Sequence, residues 1–451
     1  MIKRIVPLLL LMVVFTSCNN PQKNGYTYFG GKIINPKCNY VVLLDNRGFN
    51  DTIYLHSNDN TFLSKYESLE EGLYYFKHGP EHQYVYIEPK DSLLFRLNTW
   101  DFDESLVFSG RNAARNNMLI ESFLENEEEA KRLYEKMKYP PNDFLKTIDS
   151  IKKLKEEKLK VFIEEKNETS KEFINVLKAS LTVPLYLKLE EYAIDNIRMH
   201  SEEKLPDNFF DFRKEFESQS EELMFYNPYY NYVLMGLYTD VYRAGIDRGS
   251  EDFIVKLLDD INKKISSETI KNKLLYNVTI NSFFMQPDYY KKLFFTFFKY
   301  STSIEDKKIA QRLLNDIKFL DTEKKLPDFK IQEATGNLEA IQNLIKNKNN
   351  VIYFENHRYF SDDWVASRVS FLVKKYPDIN FMVINTSSNN YIKNLAIKHQ
   401  YVLPKESSAR EYLTSGFPRV VLLNKKGEVV SSFNSLSSRK IEGEINNLQK
   451  K

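Results

Sequence analysis

The stretch NVIYFENHRYFSDDWVASRVSFLVKKYPDINFMVIN, residues 350–385, contains two short apolar runs with an amphipathic segment between them. The runs Asn350–Phe354 and Ile379–Asn385 have the length and the apolar content of buried strands. The segment Ser361–Tyr376 carries apolar residues at helical spacing, begins with a serine that can cap a helix, and is followed by Pro377. The stretch therefore predicts a strand, a helix and a second strand.

The chain after this stretch continues the alternation. Helices are predicted at Asn390–His399 and Arg439–Leu448, and two strands at Arg419–Leu423 and Glu428–Phe433 lie between them. A short polar turn with a glycine joins these two strands and predicts an antiparallel hairpin. Residues 325–451 are therefore interpreted as an α/β domain in which helices cover a mixed sheet.

Two further regions precede this α/β end. Residues 25–110 contain runs of β-branched and aromatic residues roughly every ten positions, which predicts an antiparallel β-sandwich. Residues 111–322 are rich in Glu, Lys, Leu and Asn, with apolar positions three and four apart, and predict an all-α region of about eight helices that prolines such as Pro184 separate. The predicted fold class is thus multidomain: β-sandwich, helical middle and α/β end.

Composition excludes several classes of protein. The chain has 451 residues with 64 basic and 62 acidic side chains, and this near-neutral balance argues against a dedicated nucleic-acid-binding protein. The sequence has no Gly-rich phosphate loop, nucleophile elbow or His-Glu zinc pattern. We therefore predict neither a cofactor nor a metal site, and His357 is interpreted as an ordinary polar residue.

The first residues have the pattern of an export signal. Two basic residues precede the apolar run Ile5–Phe15, which is too short to span a bilayer, and Cys18 follows. This arrangement resembles a bacterial lipoprotein signal, which implies removal of residues 1–17, lipidation of Cys18 and a tether at residues 18–24. We expect a lipid anchor in the outer membrane and a protein that faces the periplasm. The alternative is a plain secretory signal with an incidental cysteine.

The ordered elements after residue 325, with their local motifs, resemble the thioredoxin fold of TlpA-like envelope thiol-disulfide oxidoreductases. The segments that carry the resemblance are Leu326–Phe329, Val351–Phe354, Lys374–Pro377, Phe381–Asn385, Phe417-Pro418 with Val420–Leu423, and Gly427–Val430. The β region also resembles the domain that often precedes such thioredoxin domains in lipoproteins. The resemblance implies a redox pair of cysteines at the start of the helix and a cis-proline loop that pairs with extended peptide.

The chemistry that the resemblance implies is missing from this chain. The redox motif falls at Tyr359, Phe360, Ser361 and Asp362, and no cysteine follows residue 38. A phenol and a carboxylate cannot carry out thiol-disulfide exchange. The sequence therefore predicts a redox-inactive module that binds or scaffolds an extended peptide or an envelope protein.

Several alternatives remain open at this point. Cys38 is either a redox-active thiol, in an enzyme that uses Cys38 or a thiol of a partner protein, or a structural cysteine. Phe417 and Pro418 either form the candidate cis-proline binding loop or only shape the turn before a strand. The helical middle, rather than the α/β end, could also make the contacts of a purely architectural protein.

Overall fold

The computed structural model describes residues 25–450 apart from 166–168, 200–202, 217–219, 286–288, 321, 388–390, 397, 399 and 439. The predicted signal peptide, the tether and Cys18 therefore lie outside the described residues. No helix among the described residues is long and apolar enough to cross a bilayer. The chain folds into two compact units; the first holds the described residues up to Lys188 with Phe225–Tyr230, and the second holds Leu189–Met224 and the residues from Asn231. The expected domain boundaries at 110 and 322 stay predictions.

The first unit opens with two stacked β-sheets. Their strands are β1 (Thr27–Ile34), β2 (Tyr40–Leu44), β3 (Asn50–Tyr54), β4 (Thr61–Tyr66), β5 (Gly72–His78), β6 (Glu81–Ile87), β7 (Ser92–Asn98) and β8 (Val107–Arg111). The sheet orders are β4-β1-β7-β8 and β3-β2-β5-β6. Phe29 and Phe95 of the first sheet and Phe76 of the second share one buried core, in which the rings of Phe76 and Phe95 lie 4.7 Å apart. The core between the sheets is therefore largely aromatic.

One pairing in these sheets differs from the prediction. β1 runs parallel to β7, so the expectation of a purely antiparallel sandwich is wrong at this pair, while the other strand pairs of the two sheets are antiparallel. A parallel pair needs a long crossover connection, and strand spacing along the sequence does not reveal which distant strands become neighbours. Glycines permit close approach on both sides of β1, because a Cβ at Gly31 would collide with Phe95 O of β7 and one at Gly30 would lie 2.6 Å from Phe62 O of β4.

Eight α-helices follow among the described residues, as the spacing predicted. They are α1 (Ala113–Lys136), α2 (Pro141–Glu165), α3 (Lys171–Arg198), α4 (Asn227–Arg243), α5 (Glu251–Lys264), α6 (Glu268–Met285), α7 (Tyr290–Tyr300) and α8 (Ile304–Phe319). The expected break at Pro184 is wrong, because Pro184 lies inside α3. Proline cannot donate to the carbonyl four residues earlier, and that carbonyl, Ser180 O, accepts a 2.8 Å bond from Asn126 Nδ2 instead.

A seven-stranded mixed sheet forms the end of the second unit. Its elements are β9 (Lys330–Gln332), β10 (Leu338–Ala340), α9 (Ile341–Ile345), β11 (Asn350–Glu355), α10 (Asp362–Lys375), β12 (Asn380–Asn385), β13 (Gln400–Val402), β14 (Arg419–Leu423), β15 (Val429–Asn434) and α11 (Ile441–Lys450). The order is β10-β9-β13-β12-β11-β14-β15, with β11 parallel to β12 and antiparallel to β14. The chain is thus multidomain, with β-sheets, several helices and a thioredoxin-like region.

β11 lies at the centre of this sheet and is buried on both faces. Val351 and Tyr353 pack in the cluster that includes residues of α10 and α11, whereas Ile352 and Phe354 pack on the opposite face with residues of β9 and α9. Side chains of a strand alternate between the two faces of a sheet, so a continuous apolar run is needed when both faces are covered. The run ends at Glu355, where the strand meets the loop that precedes α10.

The predicted helix at Asn390–His399 is not formed in the part of that segment that the structure describes. Residues 391–396 are irregular apart from a turn at residues 393–394 and a bend at 395, and the buried side chain of Gln400 binds the backbone of this segment. Gln400 Oε1 accepts from Ile392 N at 2.7 Å, and Gln400 Nε2 donates to Ile392 O and Leu395 O. A buried amide that satisfies both donors and acceptors removes the need for helical bonds.

Candidate functional site

The four positions that the sequence assigns to the redox motif, residues 359–362, lie between the end of β11 and the first turn of α10. Ser361 is the N-cap of α10, as predicted, and its Oγ accepts a 3.4 Å bond from Trp364 N. Asp362 and Asp363 occupy the first turn, where the partial positive charge of the helix end favours carboxylates. The start of the helix is therefore built to hold negative charge without a sulfur atom.

Aromatic rings connect this helix start to the loop before β14. The rings of Tyr359 and Phe417 lie 5.5 Å apart, and Phe417 also contacts Phe284 of α6 at 5.4 Å. Asn356 Nδ2 donates to Gly416 O at 2.8 Å. The structure thus brings the degenerate motif and the proline loop together.

Tyr359 and Phe417 form this contact, whereas Phe360, the other aromatic residue of the motif positions, does not. The ring of Phe360 stacks on Trp364 at 4.6 Å and so packs on its own helix. Tyr359 keeps 47% of its surface exposed, while Phe417 is buried. Tyr359 is therefore the aromatic side chain of this contact that a partner can reach.

The peptide bond before Pro418 is trans, because the described residues contain no cis peptide bond. The expectation of a cis-proline loop is corrected accordingly. Trans is the isomer that X–Pro bonds favour by about 0.5–1 kcal/mol, and hydrogen bonds from the preceding residues to a buried carboxylate hold the loop here. That carboxylate belongs to Asp316 of α8, a residue that the sequence did not single out.

Asp316 is fully buried and binds the loop through both carboxylate oxygens. Oδ1 accepts from Thr414 N at 2.9 Å and from Thr414 Oγ1 at 2.7 Å, and Oδ2 accepts from Ser415 N at 3.0 Å and from Ser415 Oγ at 2.6 Å. Arg419, also buried, places Nη2 3.4 Å from Oδ2. Burial lowers the pKa of Arg419 to about 10, and the charge of Asp316 opposes that fall. The pair fixes the loop to α8.

A second polar group lies at the carboxyl end of β11. Glu355 is completely buried, and neither of its carboxylate oxygens has a hydrogen-bond partner among the described residues. His357 Nδ1 lies 3.3 Å from Glu355 Oε1 and 2.8 Å from Asp362 Oδ1. Burial raises the pKa of Glu355 to about 7; the imidazole of His357 opposes the rise and the charge of Asp362 adds to it. Glu355, His357 and Asp362 form the acidic triad of this site.

Sequence reasoning found part of this site. Asp362 was assigned to the degenerate motif, but Glu355 was missed and His357 was dismissed, although a carboxylate at the end of an apolar strand was a readable signal. Nothing in the sequence marked Asp316 or Phe284, because both come from helices far from the loop along the chain. Only the packing of α6 and α8 within the second unit brings them to it.

Cys38, the thiol of the alternative hypothesis, lies in the first unit and is half-buried. Its Sγ donates to Tyr40 O at 3.2 Å, and His78 Nδ1 lies 3.6 Å away. His78 Nε2 accepts from Lys37 N at 2.9 Å, so Nδ1 carries the proton and donates to Tyr40 O at 3.0 Å. Burial lowers the pKa of His78, so the neutral ring offers no positive charge to stabilise a thiolate.

In comparisons with known proteins, no protein-family model and no curated protein matches this chain. Solved structures similar to it include a thioredoxin-like protein from Bacteroides caccae, at 13% identity over 58% of this chain and 94% of that chain, with a TM-score of 0.29. The thioredoxin domain of a thiol-disulfide oxidoreductase from Bacteroides vulgatus matches at 19% identity over 29% of this chain and 97% of its own, with a TM-score of 0.22.

A thiol:disulfide interchange protein from Bacteroides sp. matches at 20% identity over 29% of this chain and 90% of its own, with a TM-score of 0.23. The thiol-disulfide proteins among these structural neighbours cover 29% of the chain, and the thioredoxin-like protein covers 58%. Identities and TM-scores this low carry no argument about the function of this chain.

Replacing Asp316 with alanine tests whether its carboxylate holds the loop. The substitution removes the acceptors of four hydrogen bonds and leaves Arg419 buried without a counter-charge, so we expect a loss of about 3–5 kcal/mol in the free energy of unfolding. Thermal unfolding measures the loss, and hydrogen exchange at the Thr414 and Ser415 amides should accelerate. Glu305→Ala, on the exposed face of the same helix, should change either measurement little. An unchanged melting temperature for Asp316→Ala would contradict this assignment.

Proposed function

We propose that this chain is a redox-inactive, thioredoxin-like lipoprotein of the cell envelope that binds or scaffolds a partner protein. The observation that carries the proposal is the juxtaposition of Tyr359 with Phe417, which keeps the helix start and the proline loop in contact while no cysteine exists beyond residue 38. Thiol-disulfide exchange needs a thiolate as nucleophile, and a second thiol resolves the mixed disulfide. The side chains at residues 359–362 supply neither.

The state of the proline loop indicates how a partner would be recognised. The amides of Thr414 and Ser415 already donate to Asp316, and Gly416 O already accepts from Asn356. An extended peptide that adds a strand needs free backbone donors and acceptors, and at these three residues it would have to displace internal bonds. Side-chain contacts through the exposed ring of Tyr359 therefore fit the site better, which favours a folded envelope protein as partner over an extended peptide.

The lipid anchor rests on the sequence around Cys18. A short apolar run that ends at small residues before a cysteine suits acylation of that residue, and each buried CH₂ of the acyl chains contributes about 0.8 kcal/mol to membrane binding. We propose an outer-membrane anchor with the folded units facing the periplasm. The nearly equal numbers of basic and acidic residues leave membrane attachment to the acyl chains.

The second candidate is a thiol-disulfide enzyme that uses Cys38 or a thiol of a partner protein. Its sequence basis is the single cysteine that remains after Cys18. The surroundings of Cys38 oppose it, because the Sγ proton is used in a bond to Tyr40 O and the neighbouring His78 is neutral. A structural role for Cys38 agrees with these contacts.

An insulin-reduction assay separates the two candidates. We expect the full chain, supplied with dithiothreitol, to give no turnover above the uncatalysed rate, because residues 359–362 lack the nucleophile. The Cys38→Ser variant should behave identically. Turnover by the wild-type chain that disappears in Cys38→Ser would reject the proposed function and support the enzyme.

In-cell crosslinking followed by affinity capture tests the role of Tyr359. We expect a discrete crosslinked partner with the wild-type chain and a strongly reduced yield with Tyr359→Ala, which removes an exposed ring from the site. Tyr134→Ala, which removes a ring that is 74% exposed on α1 of the first unit, is the matched control and should retain the product. Equal yields from the two variants would contradict recognition through Tyr359.

Metabolic labelling with a fatty-acid analogue tests the anchor. We expect the wild-type chain and Cys38→Ala to incorporate the label, and Cys18→Ala to incorporate none, because the two variants remove the only two thiols one at a time. Label in Cys18→Ala, or its absence from the wild-type chain, would exclude the proposed lipidation.

A further inference from the structure

The buried carboxylate of Glu355 lacks the partners that such a group needs. Burial of an ionised carboxylate costs several kcal/mol unless hydrogen bonds or an opposite charge offset the loss of water. Glu355 is fully buried, both of its oxygens lack a hydrogen-bond partner in the described part of the chain, and another carboxylate faces the same imidazole. Either a proton on Glu355 or a positive charge beside it offsets this cost.

The geometry of the acidic triad offers a position for a cation. One ligand atom from each of Glu355, His357 and Asp362 lies within 4.8 Å of the other two. Atoms that each bind one ion at about 2.0–2.2 Å can be separated by no more than about 4.4 Å, so the triad needs only a small contraction to coordinate a single cation. The side chain of Asp362 is 47% exposed, which leaves one side of the triad open to solvent.

We propose that Glu355, His357 and Asp362 bind a divalent transition-metal ion of the Zn²⁺ type through one imidazole nitrogen and two carboxylate oxygens. Imidazole is a ligand that suits zinc and its neighbours, whereas Mg²⁺ and Ca²⁺ prefer oxygen ligands throughout. Two ionised carboxylates balance the charge of the ion. They also outweigh the partial positive charge of the α10 N-terminus beside them. Fewer than four protein ligands leave a coordination position for water.

The contact between Asn385 and His357 indicates which changes accompany metal binding. Asn385 Oδ1 accepts from Ser387 N at 3.0 Å, which points Asn385 Nδ2 at His357 Nε2, 2.5 Å away. In this arrangement Nε2 accepts, and Nδ1 carries the proton that it donates to Asp362 Oδ1 at 2.8 Å. A metal ion at Nδ1 displaces that proton, and rotation of the Asn385 amide then lets its oxygen accept from Nε2–H. Binding therefore releases a proton and exchanges the bond to Ser387 for one that orients the ligand.

Titration of the chelator-treated full chain with Zn²⁺ tests the site. We expect a single equivalent to bind to the wild-type chain by calorimetry, with a weakening of roughly tenfold or more in Glu355→Gln and in His357→Gln. Asp363→Asn is the matched control, because Asp363 lies beside Asp362 in the same helical turn and binds Asn394 instead of the triad. It should bind Zn²⁺ like the wild-type chain.

A thermal-shift measurement on the same proteins keeps the test independent of folding defects. Zn²⁺ should raise the melting temperature of the wild-type chain and of Asp363→Asn, and raise that of Glu355→Gln less at the same Zn²⁺ concentration. The amide has the size of the carboxyl group and carries no charge, so the substitution should not unfold the metal-free protein. The proposal would be overturned if the wild-type chain did not bind Zn²⁺, or if Glu355→Gln and His357→Gln bound it with the affinity of the wild-type chain. The metal site goes beyond the proposed function. The insulin-reduction assay tests that function, and the Zn²⁺ titration tests the metal site independently of it.

Discussion

The arrangement of the thioredoxin-like region depends on one buried carboxylate, that of Asp316. Its two oxygens accept four hydrogen bonds from Thr414 and Ser415 and face the guanidinium of Arg419, which is itself buried. Burial of such an ion pair costs desolvation free energy. Removal of either partner destabilises the fold more, because it leaves a buried charge without an opposite charge. The loop before β14 consequently takes its position from a helix that precedes the sheet in the chain.

Other contacts also join the helices of the second unit to the mixed sheet. Phe284 of α6 covers Phe417, and Phe283 packs on Phe433 of β15, so α6 and α8 together contact the loop and the neighbouring strand. The helices therefore do more than link a β domain to an α/β domain. They occupy part of the surface that borders the degenerate motif, and they restrict recognition to the side chains that remain exposed.

Features of the fold that depend on neighbouring residues were predictable from the sequence, and features that depend on residues distant in the sequence were not. The strand, helix and strand of residues 350–385 were predictable because burial on both faces requires continuous apolar runs and because Ser361 is a local capping signal. The parallel pair β1–β7, the continuity of α3 through Pro184 and the irregular segment at residues 391–396 were not predictable. Each depends on a distant strand or on one buried amide side chain. The composition and periodicity of a segment do not indicate which distant residue it contacts.

The electrostatics of the helix start bear on the chemistry of the acidic triad. A helix N-terminus stabilises negative charge, and in thiol chemistry that charge is a transient thiolate. In this chain the same position faces two carboxyl groups, those of Asp362 in the first turn and of Glu355 at the end of β11, with His357 between them. Carboxylates are poor nucleophiles toward disulfides but good ligands for cations, so the side chains at this helix start suit cation binding better than thiol chemistry. A site that attracts positive charge is the physical consequence.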